Sequence, residues 1–331
     1  MPWRIACWAV GGVGFKTLPD AVALRNRAVL QLETAEEIDD PELRRQYLTF
    51  VYVGAGYAGL EGIAELQDYV ADVIDRYPRC RLDGTRWILV EAQDRVMPEI
   101  PASLADFATR ELRGRGIEIH TSTMLDEVGD SWARLSTGEI VPTRTVCWTA
   151  GVKPPAVVRE LGLPLTEHGR IEVDSTLRVA GQQCVWAIGD CAAVPDPAYK
   201  GRRPSPPTAQ HALRQGKVVA DNVASTLSGR PLRPFRYRTL GVFVDMGQHK
   251  AVATMLGIRL RGFPAWFAAR TYHLLLMPGT ARRLRLMVDW TVGLAFGRAS
   301  AELGALGHPE DLGAQLDRPS EREPAAAEAS E

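Results

Sequence analysis

The sequence predicts an α/β fold organised on a parallel sheet, and three observations carry that expectation. A short run of β-type residues at 50–53 leads straight into Gly54-Ala-Gly-Tyr-Ala-Gly59, and residues 60–77 continue with apolar positions at helical spacing. A second apolar run at 87–90 ends on Glu91, so the stretch reads as one βαβ unit. Between 117 and 150 come several short β runs separated by turns containing Gly or Asp, the pattern of a β-meander. The chain has 331 residues, more than the ~100–200 of a usual domain, which suggests two lobes or one large α/β unit.

Taken in order, residues 20–46 carry apolar positions at helical spacing and then Asp-Pro, which predicts a helix that stops before Pro41. Ahead of it, Gly11-Gly12-Val13-Gly14 does not fit GxGxxG, and no strand–helix pair is read around it. After the helix of 60–77, residues 78–85 read as a connection, and a further helix falls near 103–113. The runs IEIH, TMLDEV, ARL, EIV and TVCWTA make up the expected meander. A strand pair is expected at 171–179 and 184–190, followed by a Pro-rich turn at 204–207. A helix from 209 to about 227 then starts with Thr208 as its N-cap. No internal repeat of 20–50 residues is visible.

Composition excludes several classes. Hydrophobic residues are 46% and charged residues 24%, values that argue against a disordered, collagenous or coiled-coil chain. The formal charge of −1 gives no global basic field, so nucleic acid is not expected as a partner. Cys7, Cys80, Cys147, Cys184 and Cys191 form neither a CxxC pair nor a zinc-ligand cluster, so neither a disulfide scaffold nor a metal site is expected. Cys147 and Cys184 sit in apolar runs and read as inert buried thiols. No signal peptide is read at the start, and no segment reaches 18 uninterrupted apolar residues. The charge is nevertheless uneven. Residues 229–298 hold twelve Lys/Arg against Asp245 and Asp289, a net of +10, interleaved with Phe263, Trp266, Phe267, Tyr272, Trp290 and Phe296. That mixture suits a membrane surface, with an in-plane helix or helix pair rather than a span. Residues 299–331 hold eight acids and read as an acidic tail, largely disordered.

The chemistry starts at the glycines. Gly54 allows a tight turn, Gly56 lets backbone approach a pyrophosphate, and Gly59 permits close helix–strand contact, while the helix start supplies N–H groups and positive dipole. Glu91, at the tip of the next strand, is the expected ribose ligand. A carboxylate there accepts from a 2′-hydroxyl and repels a 2′-phosphate, favouring NAD(H) over NADP(H). Glu91 lies 32 residues beyond Gly59, a distance that the long helix and the 78–85 connection account for. A second signal, Trp186-Ala-Ile-Gly189-Asp190, places an acid after Gly at a strand end, where it can bond a sugar hydroxyl. Combined with the glycine motif, it resembles the late flavin-binding segment of flavoprotein reductases with two dinucleotide-binding domains.

Six segments sharpen that resemblance: GFKTLPDAVALRN, VGAGYAGLE, WTAGVKP, WAIGDCA, PPTAQHALRQ and GFPAWFA, covering roughly residues 14 to 300. In this order they resemble the type II, non-proton-pumping NADH:quinone oxidoreductases (NADH dehydrogenases) of the pyridine nucleotide-disulfide oxidoreductase-like flavoprotein superfamily. The resemblance implies a two-dinucleotide-binding-domain flavoprotein reductase fold carrying FAD, oxidation of NADH and reduction of a membrane quinone. It also implies peripheral attachment to the lipid bilayer surface, at the cytoplasmic face of the cell membrane, and leaves a homodimer open. The first Rossmann strand and GxGxxG that hold the ADP half of FAD in that family have no counterpart before residue 14, so the resemblance implies an intact NAD Rossmann domain beside an incomplete FAD domain.

Carried over residue by residue, Gly54, Gly56, Gly59 and Glu91 match the NADH site, and Ala150-Gly151 matches the loop beside the nicotinamide. Glu61 matches a family carboxylate near the flavin and is the candidate proton-handling group; it reads equally as a first-turn glutamate favoured by the helix dipole. Gly189 and Asp190 match the flavin ribityl ligand. Thr208, Ala209 and Gln210 match the helix start that faces the flavin ring. In the family's quinone motif Ala209, Gln210 and Ala212 match, but Arg214 stands where the second Gln belongs, leaving Gln210 as the candidate quinone residue. His211 reads as a structural histidine. The domains implied are a residual N-terminal segment and helix at 1–46, the NADH domain with its meander at 47–150, the remaining FAD domain at 151–230, a membrane-association region at 231–300 and a tail at 301–331. Two other readings stay open: a flavin-poor NAD(H)-binding remnant, and a soluble ferredoxin- or rubredoxin-type NAD-dependent reductase, which leaves GFPAWFA unexplained.

Overall fold

The computed structural model describes residues 12–151, 154–197 and 203–296, so the expected acidic tail, Cys7 and the Val152-Lys153 part of WTAGVKP lie outside the described residues. The chain divides into two compact units. One holds the described residues up to Ala150 together with 243–254 and those from Ile258 on; the other holds 151–242 with 255–257.

The first unit is built on a five-stranded parallel sheet of β1 (Gly12–Gly14), β2 (Thr49–Val53), β3 (Arg86–Val90), β4 (Ile117–His120) and β8 (Thr145–Trp148), ordered β1-β8-β2-β3-β4. Every residue of β2 is buried, as expected of a central strand covered on both faces. Three short antiparallel strands, β5 (Leu125–Val128), β6 (Trp132–Leu135) and β7 (Ile140–Pro142), form a separate sheet. Ala133, Leu135 and Val141 from it pack on Val51, Val53, Ile88, Val90 and Val146 of the parallel sheet. The meander therefore covers 125–142 only. IEIH and TVCW belong to the parallel sheet, because their hydrogen-bonding partners are β3, β2 and β1.

Helix α1 (Leu18–Glu37) begins with a capping box, in which the Asp20 N–H donates to Thr17 Oγ1 (3.3 Å) and the Thr17 N–H donates to Asp20 Oδ2 (2.6 Å). It ends at Glu37, and α2 (Pro41–Leu48) starts afresh with Pro41 in its first turn and Asp40 as cap. The glycines before α1 do sit in a strand–helix pair, contrary to expectation, since Gly12–Gly14 is the β1 edge strand on β8. Helix α3 (Tyr57–Val73) follows the glycine turn. Residues Pro78–Asp83, expected as a connection, form a short helix α4 whose first N–H groups, on Arg79 and Cys80, donate to the Glu36 carboxylate. Helix α5 (Ala102–Gly114) packs beside β4.

In the second unit Val158, Ile171, Val173, Leu177, Val179, Ala187, Ala192, Val194 and Phe235 form one core. The expected strand pair is largely irregular: β9 (Ile171–Glu172) pairs in parallel with β10 (Ala192–Ala193), and single bridges link Val173 to Val179 and Arg178 to Trp186. Along this unit runs α7 (Ala209–Leu227), after the one-turn α6 (Val157–Glu160). Asn222, fully buried on α7, donates through Nδ2 to the Thr176 and Arg233 carbonyls (both 2.9 Å) and accepts the Arg233 N–H (2.8 Å). Cys147 is buried, and burial pushes its thiol far up. Cys184 is exposed, contrary to expectation, because it lies in a bend ahead of the Arg178–Trp186 bridge rather than in a strand.

The chain continues through a three-stranded sheet of β11 (Gly241–Asp245), β12 (Ala251–Met255) and β13 (Ile258–Gly262) into two helices, α8 (Phe263–Leu276) and α9 (Thr280–Ala295). Arg270 lies between the rings of Trp266 and Trp290, at 4.6 and 4.9 Å, and Arg283 donates to the carbonyls of Met277 and Leu275. Among the described residues no helix is long and apolar enough to cross a membrane.

Candidate functional site

The glycine turn is assembled by three strand ends. Gly54 turns the chain at φ +100°, which a side chain would resist, and its N–H donates to the Val90 carbonyl at 2.8 Å. Thr149, just past β8, donates its N–H to the Val53 carbonyl (2.9 Å) and its hydroxyl to the carbonyls of Val53 and Gly54 (2.8 and 2.9 Å). A methyl group at position 59 would lie 1.8 Å from Gly54 O and 2.5 Å from Thr149 Oγ1, so α3 begins in direct contact with the turn. At Gly56, the N-cap of α3, the opposite holds: a methyl group there meets no protein atom within 4 Å, and no side chain caps the helix. The first-turn N–H groups and the positive end of the helix dipole thus border an open cradle that a Cβ would begin to fill, the shape a pyrophosphate requires.

Glu91 lies beside that cradle. Its Oε2 accepts the Ala55 N–H at 2.6 Å and its Oε1 accepts the Gln93 N–H at 2.9 Å. A carboxylate offers about four acceptor positions, so two remain for ribose hydroxyls. The side chain also holds the glycine turn, a role its sequence position does not reveal. The Trp148 indole N–H donates to the Ala150 carbonyl at 2.7 Å and pins the chain just before Gly151, which has φ +73°.

Glu61 is the fifth residue of α3, beyond its first turn. The Asp245 N–H donates to its Oε1 at 3.0 Å. Burial pushes its carboxyl up to about 7; the carboxylates of Asp245 and Glu65 act in the same direction and the Asp245 N–H opposes them. Glu61 therefore changes protonation near neutral pH.

In the second unit, Gly189 at φ +69° and Asp190 form a tight turn. Gln215, buried on α7, accepts the Gly189 N–H through Oε1 at 2.7 Å, so α7 holds this turn. Gly189, Asp190, Thr208, Ala209 and Gln210 are thereby collected on one turn and one helix. Gln215 was adjacent to the motif but carried no sequence signal of this role. Thr208 occupies the N-cap position, yet its hydroxyl pairs with His211 Nδ1 (2.7 Å) rather than with a backbone N–H, so no side chain caps α7. A partly exposed acid beside an uncapped helix start suits a flavin's polyol chain and ring edge. His211 is buried, and burial lowers its pKa. The Gln210 amide donates through Nε2 to the Gly241 carbonyl (2.9 Å) and accepts the Tyr237 hydroxyl at Oε1 (2.8 Å). No group of three or more His, Cys, Asp or Glu suited to a metal ion occurs among the described residues.

Residues 9–216 match the family model described as pyridine nucleotide-disulphide oxidoreductase. The chain is 31% identical over 295 residues to the type II NADH:quinone oxidoreductase Ndh of Mycobacterium tuberculosis, covering 84% of this chain and 61% of that protein. It is 30% identical over 286 residues to the demethylphylloquinone reductase NdbB of Synechocystis, covering 84% and 64%. It thus spans about three fifths of the length of these relatives. A solved structure of NDH2 from Plasmodium falciparum in complex with NADH superposes with a TM-score of 0.79, covering 88% of this chain and 74% of that one; at 16% identity the likeness is one of fold.

Proposed function

The chain belongs to the pyridine nucleotide-disulphide oxidoreductase family, and on that footing we propose that it works as an NADH:quinone oxidoreductase that uses FAD and pumps no protons. The observation that carries the reading is the glycine turn: an open Gly56 at an uncapped helix start, bordered by the Glu91 carboxylate at the tip of the neighbouring strand. Relatives named as quinone reductases support the choice of acceptor.

In this reading residues 47–150 bind NADH. The backbone at Gly54, Gly56 and Gly59 receives the pyrophosphate, Glu91 accepts from the adenosine ribose hydroxyls and repels a 2′-phosphate, and the Ala150-Gly151 stretch borders the nicotinamide. Residues 151–230 contribute to the FAD site, with Asp190 bonding a ribityl hydroxyl next to the Gly189 turn. Backbone N–H groups after Thr208 and Ala209, with the helix dipole behind them, favour negative charge on the flavin ring edge. FAD, when bound, supplies the hydride acceptor and the electron donor that side chains lack. Glu61 holds or releases a proton at its carboxyl oxygens near neutral pH. Gln210 contacts the quinone.

The acceptor is membrane-bound, and residues 231–300 attach the protein peripherally to the cytoplasmic face. On α9 no residue with a described side chain is buried, and Leu284, Met287, Val288 and Val292 are all at least half exposed. Together with the +10 net charge of 229–298 this surface suits anionic lipid. The test is NADH oxidation by the purified, FAD-supplemented chain with a short-chain quinone. Quinone-dependent oxidation, faster with NADH than with NADPH, is expected. Oxidation that added quinone leaves unchanged, with FAD bound, refutes the assignment.

A further inference from the structure

Tyr237 lies in the segment between α7 and β11, and that segment is fixed on both sides of it: before it, Arg233 is bonded to buried Asn222 and the Phe235 N–H donates to the Ser175 carbonyl at 2.7 Å, and after it the Gly241 carbonyl accepts from Gln210 Nε2 at 2.9 Å. From there Tyr237 reaches three side chains in the first two turns of α7. Its hydroxyl donates to Gln210 Oε1 at 2.8 Å, its ring meets His211 edge-on at 5.0 Å, and the Arg214 guanidinium stacks over its face at 4.2 Å. Arg214 Nη1 also donates to the Gln210 carbonyl at 2.9 Å.

These contacts decide what Gln210 and Arg214 offer to a ligand. With a hydroxyl on Oε1 and the Gly241 carbonyl on Nε2, the Gln210 amide cannot flip without turning its oxygen against the Gly241 carbonyl, which only accepts. Its second amide N–H is left with a set direction. The guanidinium, held over the ring with one N–H on the Gln210 carbonyl, keeps further N–H groups for other acceptors. We infer that Tyr237 is a positioning residue of the electron-acceptor site, orienting the Gln210 amide with its hydroxyl and the Arg214 guanidinium with its ring as paired donors to a quinone's carbonyl oxygens. The inference rests on the quinone-reductase reading above.

The experiment compares wild type with Tyr237→Phe, which removes only the hydroxyl, and Tyr237→Leu, which removes the ring as well. Menadione binding is measured by equilibrium dialysis, and steady-state rates with menadione and with ferricyanide are measured on FAD-supplemented protein. Loss of one partly buried hydrogen bond predicts about a fivefold higher Kd and KM for menadione in Tyr237→Phe, and a larger rise in Tyr237→Leu as the cation–π contact goes too. The kcat with menadione and the NADH:ferricyanide rate should stay at wild-type values. Tyr237→Phe with wild-type Kd and KM overturns the inference, as does an equal fall in the ferricyanide rate, which marks a general structural role. A wild-type chain that binds no menadione refutes the acceptor reading itself, a separate result.

Discussion

Replacing Glu61 by Gln changes one property of the fold and little else. Gln keeps the size of the side chain and an oxygen for the Asp245 N–H, but it cannot ionise. In the folded protein the Glu61 carboxyl titrates at about 7 against an ordinary 4.5, which at ~1.36 kcal/mol per pH unit amounts to about 3 kcal/mol. The folded state holds this proton more tightly than the unfolded chain does. The favourable contribution is therefore fully present below about pH 4.5, declines as pH climbs, and is gone once pH passes about 7. Glu61→Gln should match wild type in stability near pH 5 and exceed it at pH 8.5 by on the order of 3 kcal/mol, or ~6–12 °C in Tm for a unit of this size. Thermal unfolding of both proteins at constant ionic strength, in steps from pH 5 to 8.5, gives the difference curve. A difference that stays flat across this range refutes the claim that burial and neighbouring carboxylates hold Glu61 protonated.

Three further outcomes are expected. Gly56→Ala should leave Tm within about 1 °C of wild type because its methyl group meets open space, yet weaken NADH binding at least tenfold; Gly59→Ala, whose methyl group would lie 1.8 Å from Gly54 O, should lower both, as fluorescence titration and thermal melts will read. Glu91→Ala should weaken NADH binding by roughly 10–100-fold, the range of a charge-assisted hydrogen bond, and narrow the preference over NADPH; equal affinity of the wild type for both nucleotides would sink the ribose assignment. Sedimentation with anionic liposomes should succeed at low salt and weaken only partly at high salt, since ions screen the charge attraction but not apolar burial. Changing Leu284, Met287, Val288 and Val292 together to Ser should abolish the salt-resistant part; an unchanged sediment excludes α9 as the attachment surface.

The amino-acid order alone determined the βαβ unit around GAGYAG, the acid at the tip of the second strand and the helix after Thr208, because each depends on contiguous residues: a φ only glycine adopts readily, an apolar repeat, a strand ending in a carboxylate. Tertiary structure decided the rest. Residues 78–83 became a helix because Glu36, over forty positions earlier, accepts its first N–H groups. IEIH and TVCW resemble the meander strands in composition, and only their pairing with β3, β2 and β1 sets them in the parallel sheet. Gly12–Gly14 has little strand character of its own and is a strand because β8 offers it an edge. The candidate site divides in the same way. Gly54, Gly56, Gly59 and Glu91 were legible, whereas the raised pKa of Glu61 comes from burial and from Asp245, 184 residues on, and the grip of Tyr237 on Gln210 spans 27. A glycine turn or an apolar repeat is written locally in the chain; an edge strand, a helix held by a distant carboxylate, and a side chain's protonation and direction depend on neighbours that only the folded packing brings to them.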